Sequence, residues 1–176
     1  MQARLRRASR GGAAPFGHPR SYFYKDKMDG EMGNIDIRQL TSEDFELLLH
    51  VEDGLFDDPI NPVQAKAFLA DPLHELVLAY DGPKAVGMVS SNVQLHPDKE
   101  PSMFINEVGT RDGWTRRGIA TALVESMINI ARARGCDGIW LGTEQDNLPA
   151  IGLYRSLEAE EVAGVYFGWD GAFEEE

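Results

Sequence analysis

The stretch from Glu107 to Arg134, EVGTRDGWTRRGIATALVESMINIARAR, most constrains what this chain can fold into. It reads as a strand end, a polar turn, a glycine and a helix. Phe104, Ile105 and Val108 mark the strand, and Arg111, Asp112 and Gly113 the turn. Ile119, Leu123, Met127 and Ile130 then recur at helical spacing and make one apolar stripe. Gly135, just after Arg132 and Arg134, is a C-terminal stop. Gly138 to Thr143 (GIWLGT) is strand-like again. A strand, a long helix and a strand imply a parallel pair with a right-handed crossover, an α/β arrangement.

The turn before this helix carries chemistry. N–H groups at a helix start have no intrahelical partner, and the dipole places partial positive charge there. Gly118 and Ala120 are small enough for a ligand to approach the backbone, and Arg116 and Arg117 add full charges. Two readings stand at this level: a phosphate cradle, or a surface turn capped by arginines.

Thr115 to Ala120 resembles the pyrophosphate loop of the GNAT superfamily of acetyl-CoA-dependent N-acetyltransferases, Arg/Gln-x-x-Gly-x-Gly/Ala. Gly118 and Ala120 match, and Thr115 stands where Arg or Gln is usual. Asn147-Leu148-Pro149-Ala150-Ile151-Gly152-Leu153-Tyr154 is similar to the family's Asn-x-x-Ala-x-x-Leu-Tyr. The resemblance covers about Ile35 to Asp170. It implies the order β-α-α-β-β-β-α-β-α-β-β: a mixed central sheet of six to seven strands with about four helices, whose central parallel strands splay apart.

The rest of the chain fits that order. Residues 1–31 lack an apolar period and hold Gly11-Gly12, Pro15, Pro19 and scattered arginines, so a disordered extension is expected ahead of a domain at 32–176. Met28 and Met32 both serve as alternative starts. Ile35 and Ile37 alternate as a short strand. Thr41 and Asp44 form a capping box for a helix using Phe45, Leu48 and Leu49, with His50 solvated or capping at its end. Asn61 and Pro62 start a second helix with Ala65, Phe68 and Leu69 inward. Glu75 to Tyr80, Ala85 to Val93 and Met103 to Thr110 are strands, the first two joined at Asp81-Gly82-Pro83. A helix from Leu148 to Leu157 and a last strand from Val162 to Trp169 complete the set.

Composition narrows the partners. The formal net charge is −12. Lys and Arg predominate in residues 1–31, which leaves the remainder still more acidic. This disfavours nucleic acid and favours a cationic small-molecule amine; acidity for solubility alone is an equal reading. No apolar run is long enough to span a bilayer. The single cysteine, Cys136, cannot form an intrachain disulfide and fits a reducing cytoplasm, where it reads as packing filler.

The resemblance also implies site residues. Acetyl-CoA is the cosubstrate, no metal is expected, and a homodimer stays open. Val108, Gly109 and Thr110 would pair with the pantetheine as an added strand, and Thr115, Arg116, Arg117, Gly118, Ile119 and Ala120 would hold the pyrophosphate. Asn147 would bind cofactor and cap its helix. Acetyl transfer needs a neutral amine, an oxyanion donor and a proton for the thiolate. Glu107 is the expected base, assigned a strand face opposite Asn106 and Val108, and Tyr154 is the expected acid. Within the superfamily the run Thr115 to Leu123 is most similar to aminoglycoside 3-N-acetyltransferases of the gentamicin-resistance group, as are the acid at Glu107 and the end Tyr166-Phe167-Gly168-Trp169-Asp170. Asp57, Asp58, Glu144, Asp146 and Asp170 would then hold the cationic acceptor. The alternatives are another amine (a polyamine, a peptide or a protein N-terminus) and a CoA-binding module without catalysis.

Overall fold

The computed structural model describes residues 35–165 and Phe167. Its frame is one five-stranded sheet in the order β1-β2-β3-β4-β5, built from β1 (Ile35–Gln39), β2 (His74–Asp81), β3 (Lys84–Gln94), β4 (Ser102–Thr110) and β5 (Gly138–Trp140). The first four are antiparallel and β5 runs parallel to β4. β2 and β3 are buried almost end to end, because helices cover both sheet faces. Gly82, at φ +58, makes the turn between them.

On one face lies the long helix α3 (Ile119–Ala133). Its stripe of Ile119, Leu123, Met127 and Ile130 packs on Val77, Val89, Met103 and Ile105. Gly135, at φ +74, ends it: the Cys136 and Gly135 N–H groups return to the Ala131 and Arg132 carbonyls. Cys136 packs beside this core, where burial pushes its thiol up and away from thiolate reactivity. The carboxylate of Glu75, 3% exposed, accepts from Gln39 Nε2 (2.7 Å) and Arg134 Nε (2.6 Å), tying β2 to β1 and to the end of α3.

The other face carries the short helices α1 (Phe45–Leu49) and α2 (Pro62–Ala70) over Leu76, Leu78, Tyr80 and Met88. Thr41 and Asp44 form the capping box, on a single 3₁₀ turn (Ser42–Asp44) that runs into α1. His50 Nδ1 lies 2.6 Å from the Glu46 carbonyl, at the end of α1. Asn61 caps α2 through Val63 N–H (2.9 Å), with Pro62 in its first position.

The sheet departs from expectation at its β5 edge. Five strands are present, not six or seven, among the described residues. β5 stops at Trp140 rather than Thr143, after only three register pairs with β4. Val162 to Val165 and Phe167 form no strand, and Val162, Val165 and Phe167 are among the most exposed apolar side chains; the rest of the expected last strand lies outside the described residues. A strand needs a partner along its length, and a three-residue β5 offers little. Gly164 further weakens the segment. The fourth helix, α4 (Leu148–Ser156), forms as expected with Asn147 as its cap. Residues 1–31, the expected extension, also lie outside the description.

Candidate active site

The site is set by an irregularity in β4. Ser91 pairs with Ile105 and Ser90 with Glu107, which leaves Asn106 as an extra residue, a β-bulge. Were Asn106 paired regularly, Met103, Ile105 and Glu107 would share one face by simple alternation. With the bulge, Met103 and Ile105 point into the α3 core, and Val108 packs there too. Glu107 points the other way, beside Ser90 and beneath α1 and α2. The expected opposition of Glu107 and Val108 holds, but the strand's phase resets at Asn106. A bulge also bends and twists its strand, and β5 stops pairing at Phe104–Trp140, just before it.

Glu107 stands on the wall of a cavity of about 420 Å³. Leu48, Phe56, Ile60, Ala65, Phe68 and Leu76 supply most of the surface, and Ser90, Asn61, Asp71 and His74 the polar part. Burial, and after it the nearby charge of Asp57, raises the Glu107 carboxyl above the ordinary range. A raised carboxylate is a stronger base than an ordinary one. Asp57 and Asp58 are themselves exposed in the loop before α2.

The loop before α3 is shaped by two left-handed residues, Arg116 at φ +60 and Gly118 at φ +76. For arginine this conformation is strained, by about 1–3 kcal/mol. The first bond inside α3 runs from Ala122 N–H to the Gly118 carbonyl (3.0 Å), and no side chain caps the helix. Ile119, Ala120 and Thr121 N–H therefore have no acceptor within it. Arg116 and Arg117 are exposed and make no ion pair among the described residues. The Thr115 hydroxyl is turned back onto the Asp112 carbonyl (3.2 Å). This is a concave, donor-rich surface of the kind that binds anions. Val108, Gly109 and Thr110 lead toward it, hydrogen-bonded to β3 on one side and unpaired by β5 on the other. The Thr110 hydroxyl is buried without a partner.

Asn147 accepts from Ala150 N–H (3.3 Å) and donates to the Thr143 hydroxyl (3.2 Å). Tyr154, half-buried on α4, packs on the α3 core, and burial raises its hydroxyl pKa. No hydrogen bond joins it to Glu107 among the described residues. Glu144 and Asp146 are exposed ahead of α4 and line no part of the Glu107 cavity. Asp170 lies outside the described residues.

One residue read only as turn proves central. Arg111, directly after β4, donates to the carbonyls of Ala85 (2.8 Å), Asp53 (2.8 Å) and Glu52. It clamps the acidic loop onto the sheet. Trp114 adds a bond to Asp81 (2.9 Å) and Lys84 pairs with Glu52 (3.1 Å). All of these partners are distant in sequence, so no local signal announces them. The adjacent serines Ser90 and Ser91 in an apolar strand were the available hint of a polar spot on β3.

Uncapped N–H groups at a helix start, just beyond the strand that carries Glu107, suit group transfer from a phosphate-bearing donor. Residues 34–158 match the acetyltransferase (GNAT) family, and the chain belongs to it. It is an acetyl-CoA-dependent N-acetyltransferase. An acetyltransferase of Pectobacterium atrosepticum is 29% identical over 139 residues, covering 76% of this chain and 94% of its own. Among solved structures, the aminoglycoside acetyltransferase AAC(6')-Iy in complex with a CoA-containing bisubstrate analogue superposes with a TM-score of 0.67 at 18% identity, over 78% of this chain and 99% of that one. A ribosomal-protein-alanine N-acetyltransferase from Brucella melitensis gives 0.60 at 19%, over 78% and 99%. At such identities the likeness is one of fold. Among the described residues no helix is long and apolar enough to cross a membrane, and no group of three or more His, Cys, Asp or Glu could hold a metal ion.

Proposed function

We propose that this chain transfers the acetyl group of acetyl-CoA directly to a primary amine, with Glu107 as base and Tyr154 as acid. The observation that carries the reading is Glu107 itself, a carboxylate turned into a cavity by the Asn106 bulge and raised by burial. In this reading the pyrophosphate rests on the N–H groups of Arg116 to Ala120, and the pantetheine pairs with the open edge of Val108 to Thr110. Splaying of β4 from β5 past Phe104 would admit it. Asn147 contributes to the same cofactor surface. The amine nitrogen attacks the thioester carbonyl and gives its proton to Glu107, and the C–S bond breaks as Tyr154 protonates the leaving sulfur.

The acceptor is a cationic small-molecule amine. The run from Thr115 to Leu123 and the net charge of −12 support an aminoglycoside, acetylated at a 3-N position, with Asp57 and Asp58 at the rim and Glu144, Asp146 and Asp170 as further contacts. Polyamines, peptides and protein N-termini are the other amines to compare. The test is Glu107→Gln. It should lower kcat by about 10²–10⁴-fold and leave acetyl-CoA affinity unchanged. Unaltered turnover from pH 6 to 9, about the span over which such groups titrate, would put the base elsewhere.

A further inference from the structure

We infer that the amine this chain acetylates is a single ammonium on an apolar body, an alkyl or aryl group seated in the cavity beneath α1 and α2. The inference rests on the acetyltransferase reading above and sets a monoamine in place of its aminoglycoside acceptor. The walls are Leu48, Phe56, Ile60, Ala65, Phe68 and Leu76, and the volume of about 420 Å³ lies within the range of small-molecule sites. The Phe68 and His74 rings, 4.8 Å apart and tilted by 55°, form an aromatic corner against which another ring can pack.

Two of the polar side chains of the cavity, Asn61 and Asp71, are engaged by the backbone of α2 and the segment after it. Asn61 Oδ1 accepts from Val63 N–H (2.9 Å). Asp71, exposed after α2, accepts from Leu73 N–H (2.8 Å) and sits 3.5 Å from His74 Nδ1. That leaves Glu107, with Asp57 nearby, as the anionic end toward the sheet, and Asp71 as a second carboxylate on the exposed side. One ammonium is matched at Glu107. A further ammonium of a polycation has only Asp71, already engaged by Leu73, to meet; elsewhere it would lie against apolar wall, unpaired. An apolar body instead gains from every methylene removed from water.

The experiment uses the full chain, acetyl-CoA and release of free thiol. The amines are the straight-chain series from propylamine to octylamine, 2-phenylethylamine, spermidine and kanamycin. The expected result is a kcat/KM that climbs about fourfold per methylene, the equivalent of burying one CH₂, until the cavity is full. Phenylethylamine should exceed spermidine and kanamycin. Ala65→Leu narrows the cavity and should end the climb at a shorter chain with the KM for acetyl-CoA unchanged. Phe68→Ser, which fills nothing, should flatten the slope, and acetyl-CoA affinity reports that each variant is folded. A flat series, or polycations turned over better than the best alkylamine, overturns the inference and leaves the acetyltransferase reading standing. Failure to bind acetyl-CoA, or to acetylate any amine, overturns both.

Discussion

Gly87 on β3 sets how closely α3, and with it the phosphate loop, approaches the sheet. A Cβ at this position would stand 2.8 Å from Ile119 Cγ2, 2.9 Å from Leu123 Cδ1 and 3.3 Å from the Gly109 carbonyl oxygen. Carbon atoms are comfortable at about 3.5–4.0 Å, so Gly87→Ala calls for a retreat of about 1 Å. Leu123 can give way by turning its far end. Ile119 cannot, since a β-branched side chain in a helix has one strongly preferred rotamer, and the Gly109 backbone blocks the other flank. Ile119 is also the first residue of α3, bonded directly to Gly118, so the displacement passes into the loop. Overpacking of this kind costs about 1–3 kcal/mol, and each kcal/mol lowers Tm by about 2–4 °C in a domain of this size. A shift of about 1 Å at binding groups can reduce turnover by about 10²-fold. Gly87→Ala should therefore lower Tm by a few degrees and weaken CoA binding measured by calorimetry far more than the melting change alone suggests. Ile119→Ala on the same background should relieve the clash, leaving the double variant more stable than the two single losses add up to, by about 0.5–3 kcal/mol. Unchanged CoA affinity in Gly87→Ala, or simple additivity in the pair, would refute the reasoning.

Three further outcomes follow from the same geometry. Gly118→Val forces a branched residue to φ +76 and covers the N–H cradle; CoA binding should collapse while circular dichroism stays that of the parent. Asp57→Asn removes a like charge beside Glu107, so the carboxyl pKa falls and the acid limb of the kcat/KM profile moves to lower pH; the limb disappears in Glu107→Gln. A chain beginning at Met32 should melt and turn over as the full chain does, because residues 1–31 lack the apolar pattern needed to dock on a core, and lost CoA binding in it would reverse that expectation.

Features whose cause is local were legible in the sequence. The stripe of α3, the stop at Gly135, the Asn61-Pro62 start of α2 and the Thr41–Asp44 box all depend on residues within a turn or two of one another. The bulge was not legible. Met103, Ile105 and Glu107 look like uninterrupted alternation, and only the pairing with Ser90 and Ser91 fixes Asn106 as the extra residue. The length of β5 was hidden for the same reason: GIWLGT is a good strand by composition, but its pairing ends where β4 nears its bulge. Arg111 reads locally as a turn residue, and its partners lie near residues 52 and 85. The cavity lining is drawn from α1, α2, the loop between them and three strands, so its apolar character appears only after folding.

The extra residue in β4 gives this site an unusual relation to inheritance. Elsewhere in the strand, change can arrive by substitution, one side chain at a time. The direction in which Glu107 points depends instead on Asn106 standing outside the alternation of the strand. A single-codon deletion at Asn106 would bring Glu107 directly after Ile105, still opposite Ser90, and keep the carboxylate aimed at the cavity, while the bend and twist that a bulge adds would be lost. Taking Asn106 into the regular ladder is what would turn Glu107 to the α3 side. A descendant of such a chain can thus lose the residue without losing the aim of the carboxylate, and the cost falls on the curvature of β4 beside β5.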